Sequence, residues 1–411
     1  MQYHVVTFTH TKIFGWAVYL HAHVKYLKNL LEDKKIGDFK WSIGDGMKKL
    51  LYACVLLGSV VACSTPASRW SEEKARKWAD DQAWIVGCNY VTSNAINQIE
   101  MWQDQTFSPA LIDRELGYAE DLGFNTVRIF LSHLVYLDDP TGFKERFNEF
   151  LDLCEKHRIK ALPTFWTNGG KCQDPKLGPQ PPSRKGVHNS EWCMVPGAEW
   201  VNDPSTWPQL EKMVKDILQT YRNDSRILMW CLYNEPESHR RGVTSSIPLM
   251  QATFQWAREV NPSQPLTAPV CCPVRIESKW TSMPEVTFVL ENSDILSFHA
   301  YSTPEATESF IKALLPYGRP IVCTEYMARP LGSTFEGCLP VFKKYDVGAV
   351  SFGLVAGKLN CHYSWNKTDA DGVSIPWEEE PEVWFHDIFR EDGTPYSEQE
   401  VAFIRSTTGA R

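Results

Sequence analysis

From residue 83 to about residue 356 the chain repeats one unit eight times: a short β-branched or aromatic run, then ten or more residues with apolar side chains at helical spacing. Nothing else in the sequence constrains the fold as strongly. Strand–helix alternation makes neighbouring strands parallel and sends every crossover over the outside of the sheet. The strand candidates are 83–90, 125–132, 159–166, 227–234, 266–271, 295–301, 320–327 and 348–356. Eight such units predict an α/β fold, a single-domain (β/α)8 TIM barrel over residues 83–411, with a last helix near 381–389 closing the ring. The helices carry their own signals. Ser108 stands at a cap position with Pro109 behind it, Ile112, Leu116 and Ala119 recur on one face, and Gly123 ends the pattern. Before the fourth strand, Asp203 and Pro204 open a helix whose stripe is Leu210, Met213, Val214, Ile217 and Leu218.

In a parallel barrel, chemistry sits where the strands end. The fourth run ends Tyr233-Asn234-Glu235-Pro236-Glu237 and the seventh ends Cys323-Thr324-Glu325-Tyr326. Carboxylates at those two ends project from opposite sides of one mouth and can flank a single bond, the arrangement that glycoside hydrolysis requires. A Gly- and Pro-rich stretch between Trp166 and Asp203, with Trp192 and Trp200 in it, follows the third strand; at that length it is expected to form a cleft wall or lid on the same face. Sixteen Trp, fifteen Tyr and twenty Phe suit both a core and flat platforms for sugar rings.

These motifs resemble the clan A glycoside hydrolases, in particular the cellulase-like family 5 enzymes, from about residue 83 to the end. The resemblance implies a retaining β-glycosidase with no metal and no organic cofactor. In it Asn234-Glu235-Pro236 carries the acid/base and Thr324-Glu325-Tyr326 the nucleophile. It further implies that Arg128 keeps the nucleophile ionised, that Tyr301 bonds it, that His299 lies near the acid and that Asn234 bonds a sugar 2-hydroxyl. With Arg128 beside Glu325, Glu235 is the carboxyl expected to hold a proton.

Two departures stand out. Where the family commonly has a histidine, the third strand ends Phe165-Trp166-Thr167-Asn168; and the eighth, Ser351 to Lys358, has no tryptophan at its end. Trp166 and Trp365 are therefore the candidate sugar platforms, Trp365 preferred over Trp377. Glu237 is expected in a first helical turn, Glu291 and Asp294 at the barrel's stability end, and His239-Arg240-Arg241 in a solvated loop. Arg184-Lys185 is a weak candidate for an acidic sugar.

A net charge of −8 offers nucleic acid nothing, so the expected partner is a β-linked glycan such as a β-glucan or β-mannan, met by a monomer. Competing readings are a non-catalytic glycan-binding lipoprotein on the same barrel and a transglycosylase. Residues 47–62 read as a secretory signal: Met47-Lys48-Lys49, a short apolar run and a small-residue exit. Val60-Val61-Ala62-Cys63 resembles the lipobox of bacterial lipoproteins, which implies lipidation of Cys63 and a protein anchored to the outer membrane, in the periplasm or at the cell surface. On this reading residues 1–46 lie upstream of the true start and outside the fold, 63–82 form a tether, and the membrane is met through the lipid only. Cys172 and Cys193 share the long loop and are candidates for a disulfide in an exported chain.

Overall fold

The computed structural model describes residues 68–410 apart from 173, 240, 272–279, 371 and 372, all within one compact unit, Thr65–Arg411. The signal segment, Cys63 and residues 1–46 lie outside the described residues. Among the described residues nine strand segments, all paired in parallel, make the sheet: β1 (Val86–Asn89), β2 (Thr126–Phe130), β3 (Lys160–Thr167), β4 (Trp230–Asn234), β5 (Leu266–Thr267), β6 (Pro269–Val270), β7 (Leu296–Ala300), β8 (Ile321–Tyr326) and β9 (Gly348–Phe352). β1 lies between β2 and β9, β5 pairs with β4, and β6 pairs with β7. Ala268 divides the expected fifth strand into β5 and β6, each bonded to a different neighbour. The eight-unit α/β barrel is thus nearly closed, and β8 is its seventh strand.

The helices follow their apolar stripes. Trp207–Thr220 buries Leu210, Met213, Val214, Ile217 and Leu218, and Pro109–Asp121 buries Ile112, Leu116 and Ala119. Their starts differ in detail from expectation. Ser108 makes no side-chain cap bond, and Asp203 caps a 3-10 turn, Pro204–Thr206, just ahead of the α-helix. Gly123, at φ 74°, supplies the left-handed residue after the first of these helices.

Two expectations about the ends of the domain are corrected. Residues 381–389 form no helix. Trp384 through Phe389 are six consecutive buried residues, and Phe389 pairs with Val355 in an isolated parallel bridge. A helix on a barrel surface would have to turn some of those side chains to solvent. The closing helix is Glu398–Thr408, capped by Ser397. Nor is the described part of 63–82 a tether. Glu72–Asp80 is a helix capped by Ser71; Trp70 and Ala75 pack with Ile85, Leu162, Leu228, Met229, Ile295, Val322 and Val350 in a cluster at the N-terminal end of the barrel.

Asp294 organises that end. It is fully buried, and its carboxylate accepts Trp70 N at 2.7 Å, Leu266 N at 2.8 Å and both Arg258 terminal nitrogens at 2.8 Å. Arg319 donates to Ser293 O, Asp294 O and Trp70 O beside it. Removing one partner of a buried ion pair leaves an uncompensated charge, at a cost of about 3–5 kcal/mol. Asp294→Ala is therefore expected to lower unfolding stability by about 3 kcal/mol or more in urea titrations; a loss below about 1 kcal/mol, the scale of an exposed pair, would contradict this account.

Candidate active site

Polar side chains at the C-terminal ends of the strands converge on one cleft of about 830 Å³, lined by Asn234, Glu235, Tyr301, Glu325 and Trp365 among others. At its floor lies Arg128, fully buried on β2. Its Nη1 donates to Glu325 Oε1 at 2.6 Å and to Asn89 Oδ1 at 2.8 Å, and its Nη2 donates to Asn234 Oδ1 at 2.5 Å. Burial works against its charge, yet Cys231 and Glu325 alongside raise its pKa above the ordinary arginine value. Asn89 Nδ2 donates in turn to Thr324 O and Ser351 O, fastening β1 to β8 and β9.

Glu325 is aimed inward by an irregularity in the sheet. The register between β7 and β8 shifts after Phe298, so that His299 faces Glu325, and the β8–β9 register shifts over the same stretch. Such bulges re-aim side chains beside active sites. Tyr301 Oη donates to Glu325 Oε2 at 2.7 Å, so each carboxylate oxygen receives a strong donor.

Glu235 follows β4 and takes φ 47°, with Glu237 and His239 also left-handed, so the chain turns sharply over the mouth. Its Oε1 lies 2.6 Å from His299 Nδ1, and the same nitrogen is 3.4 Å from Glu325 Oε2. His299 Nε2 is buried without a partner, which assigns the hydrogen to Nδ1, donating to Glu235. Burial alone would push Glu235 upward, but the bond and charge of His299, then His239 and the Cys271 thiol, hold its pKa down at about 2. This corrects the expectation that Glu235 carries the resting proton. Arg128 pairs with Glu325, and the Nδ1–H of His299 supports Glu235 by a hydrogen bond.

One oxygen of Glu235, one of Glu325 and a ring nitrogen of His299 lie within 4.8 Å of one another. The donor set does not favour a metal ion there, because both Glu325 oxygens already accept hydrogen bonds and the Arg128 guanidinium would repel a cation. Asn234 lines the cleft and donates from Nδ2 to Thr167 Oγ1 at 3.2 Å.

Of the two platform candidates, Trp365 lies over the cleft, half exposed, edge-on to Tyr301 at 5.3 Å between ring centres. Trp166 does not reach it. Strand alternation turns Trp166 outward, where it is fully buried and its Nε1 donates to Thr253 Oγ1 at 2.8 Å. Trp377, also half exposed, does not line the cleft; its Nε1 donates to Ser364 O.

Glu237 begins no helix; its carboxylate accepts Ser245 Oγ and Ser246 N and so braces the loop. His239 and Arg241, expected in a solvated loop, line the cleft, while Arg240 lies outside the described residues. Arg184 pairs with Glu191 at 3.0 Å. Cys172 and Cys193 are free thiols that face each other across an isolated bridge. Sequence reading missed Lys171, His188, Asn366 and Cys271 in the cleft wall. Cys271 alone had a signal, as the residue that ends the fifth strand candidate.

The profile of the cellulase family, glycosyl hydrolase family 5, matches residues 116–333, more than half of the chain. The chain belongs to this family. It is a glycoside hydrolase of the cellulase-like TIM-barrel type. No curated protein sequence matches it. Among solved structures, this family 5 hydrolase is similar to an exo-β-1,4-mannosidase from Opitutaceae bacterium strain TAV5, with TM-score 0.53 and 16% identity over 79% of this chain and 60% of that one. It is also similar to a family 5 subfamily 18 enzyme from Streptomyces cattleya in complex with GlcNAc, with TM-score 0.52 and 12% identity over 79% of both chains. A third similar structure is the hyperthermostable endo-1,4-β-D-mannanase from Thermotoga petrophila RKU-1, with TM-score 0.50 and 15% identity over 79% of this chain and 99% of the other. At such identities the likeness is one of fold.

The account of Glu235 is open to test. In His299→Ala, burial is left to dominate, and the Glu235 carboxyl is expected to titrate above its ordinary 4.5 instead of near 2. Carbon-13 NMR titration of labelled glutamate in both proteins reads this directly.

Proposed function

We propose that the family 5 hydrolase cleaves a β-linked glycan with retention of anomeric configuration, Glu325 attacking the anomeric carbon and Glu235 protonating the leaving oxygen. The observation that carries this reading is that one oxygen of Glu235 and one of Glu325 lie within 4.8 Å of each other. Retaining enzymes hold their carboxyl groups about 5–5.5 Å apart, whereas inverting enzymes leave about 6.5–9.5 Å for a water between them. The unequal partners fit the two roles. Arg128 and Tyr301 each donate to one oxygen of Glu325 and orient it for attack. The His299 imidazole and the Cys271 thiol set Glu235 as a carboxylate in the open cleft; a glycan seated against it removes water and favours the protonated form. After the glycosyl-enzyme forms, the same group withdraws a proton from the incoming water.

β-1,4-Mannosidic linkages are the first substrates to test, because two of the similar structures act on them. We further propose export of the chain and anchoring through Cys63; this rests on the sequence of residues 47–63.

Glu325→Gln is expected to lower kcat on the responsive glycan by a factor on the order of 10^4 or more, and Glu235→Gln by roughly 10^2–10^4. Proton NMR of the first product is expected to show the β-anomer before mutarotation. An α-anomer as first product, or full turnover by Glu325→Gln, would falsify the double displacement. Products longer than the starting glycan would instead mark transfer to a sugar acceptor.

A further inference from the structure

The cleft carries a charge that its own chemistry does not use. The chain as a whole is acidic, at −8, yet the only carboxylates among the described residues lining the cleft are Glu235 and Glu325, and each already faces a positive or donating partner. The same lining contains, besides histidines, Lys171 from the loop after β3 and Arg241 from the loop after β4.

Lys171 is held in place. Its Nζ donates to His188 O and to Asn366 Oδ1 at 3.5 Å, both neutral acceptors. Asn366 is itself fixed, its Nδ2 donating to Gly186 O and Ile375 O and its Oδ1 accepting His188 N. An ammonium has three N–H donors, so one remains for a ligand. The charged groups around Lys171 leave it a net cation environment: Arg184 and Arg241 oppose its charge, and Glu191, which favours it, is bonded to Arg184. His188 lends no charge, since burial pushes its pKa down to about 3. Burial first, then the two arginines, lower Lys171 to about 8. A half-buried cation without a carboxylate of its own is poorly solvated, and an incoming anion supplies what it lacks.

We propose that the wall formed by Lys171 and Arg241 is a subsite for an anionic substituent, a carboxylate or sulfate ester borne by a sugar unit of the glycan. This rests on the glycosidase reading of the same cleft and names the substrate class: an acidic β-glycan. Anionic oxygen meets the free Lys171 N–H and the Arg241 guanidinium, while the reacting sugar lies between Glu235 and Glu325 under Trp365.

The test compares matched β-linked oligosaccharides that are neutral, hexuronate-bearing or sulfated, with the full chain and with Lys171→Gln, Lys171→Arg and Arg241→Gln. Deleting one charge-assisted hydrogen bond in a partly buried site is expected to reduce kcat/KM about tenfold or more. Lys171→Gln is expected to lower kcat/KM for an acidic glycan at least tenfold more than for its neutral counterpart, through KM; Arg241→Gln is expected to act in the same direction, and Lys171→Arg to restore most of the loss. KM for the acidic glycan is expected to rise as pH passes upward through the lysine titration, with no matching rise for the neutral one. Whichever acidic series shows the effect identifies the substituent. Equal losses on neutral and acidic glycans, or no preference for either acidic series in the parent protein, would overturn the proposal and leave the glycosidase reading intact. Calorimetric binding to Glu325→Gln separates the converse: Lys171-dependent binding of an acidic glycan that the parent protein never cleaves would sink the glycosidase reading alone.

Discussion

The buried guanidinium of Arg128 is the constraint on which the catalytic face depends. It stands on β2, bonds Asn89 of β1, Asn234 of β4 and Glu325 of β8, and is enclosed on every side. A cation so placed is tolerable only if each partner is present, because desolvation exceeds what any one bond returns. The strand register, the bulge that turns Glu325 inward and the amide of Asn234 are therefore conditions of one another. The same ion that bonds Glu325 also bonds Asn234 on the opposite side of the mouth, so packing and site geometry are not separable here.

The barrel divides its polar groups by end. At the N-terminal end Asp294, Arg258 and Arg319 tie the entering chain and two strands into a closed network whose partners are all protein groups. At the C-terminal end the polar groups have one side open to the cleft. The helix Glu72–Asp80 seals the first end, so solvent and ligand meet the second.

What the sequence made legible follows from periodicity. The eight strand–helix units, and the placing of Glu235 and Glu325 at one mouth, follow from counting strands and asking which carboxylate ends each; Arg128, Asn234, His299 and Tyr301 were legible only through the resemblance to family 5. Trp166 was misplaced because a strand end offers two faces, and the cleft-facing parity here belongs to its small neighbour Thr167 rather than to the large ring. Residues 381–389 were misread because Trp384 to Phe389 are all buried, so their side chains carry no period that separates helix from extended chain. The ionisation of Glu235 could not be read, since it turns on which way one imidazole on another strand points. Lys171 and Arg241 escaped for a similar reason: loops without periodicity give no clue to which of their charges face inward.

Glu235 itself stands in a backbone conformation that costs a side-chain-bearing residue about 1–2 kcal/mol and glycine almost nothing. A library of variants sorted for resistance to heat would therefore tend to reward glycine at this position, and one sorted for turnover would reject it. The residue records which of the two pressures the polypeptide answers to. At the point where the chain leaves β4, thermal robustness and reactivity pull in opposite directions.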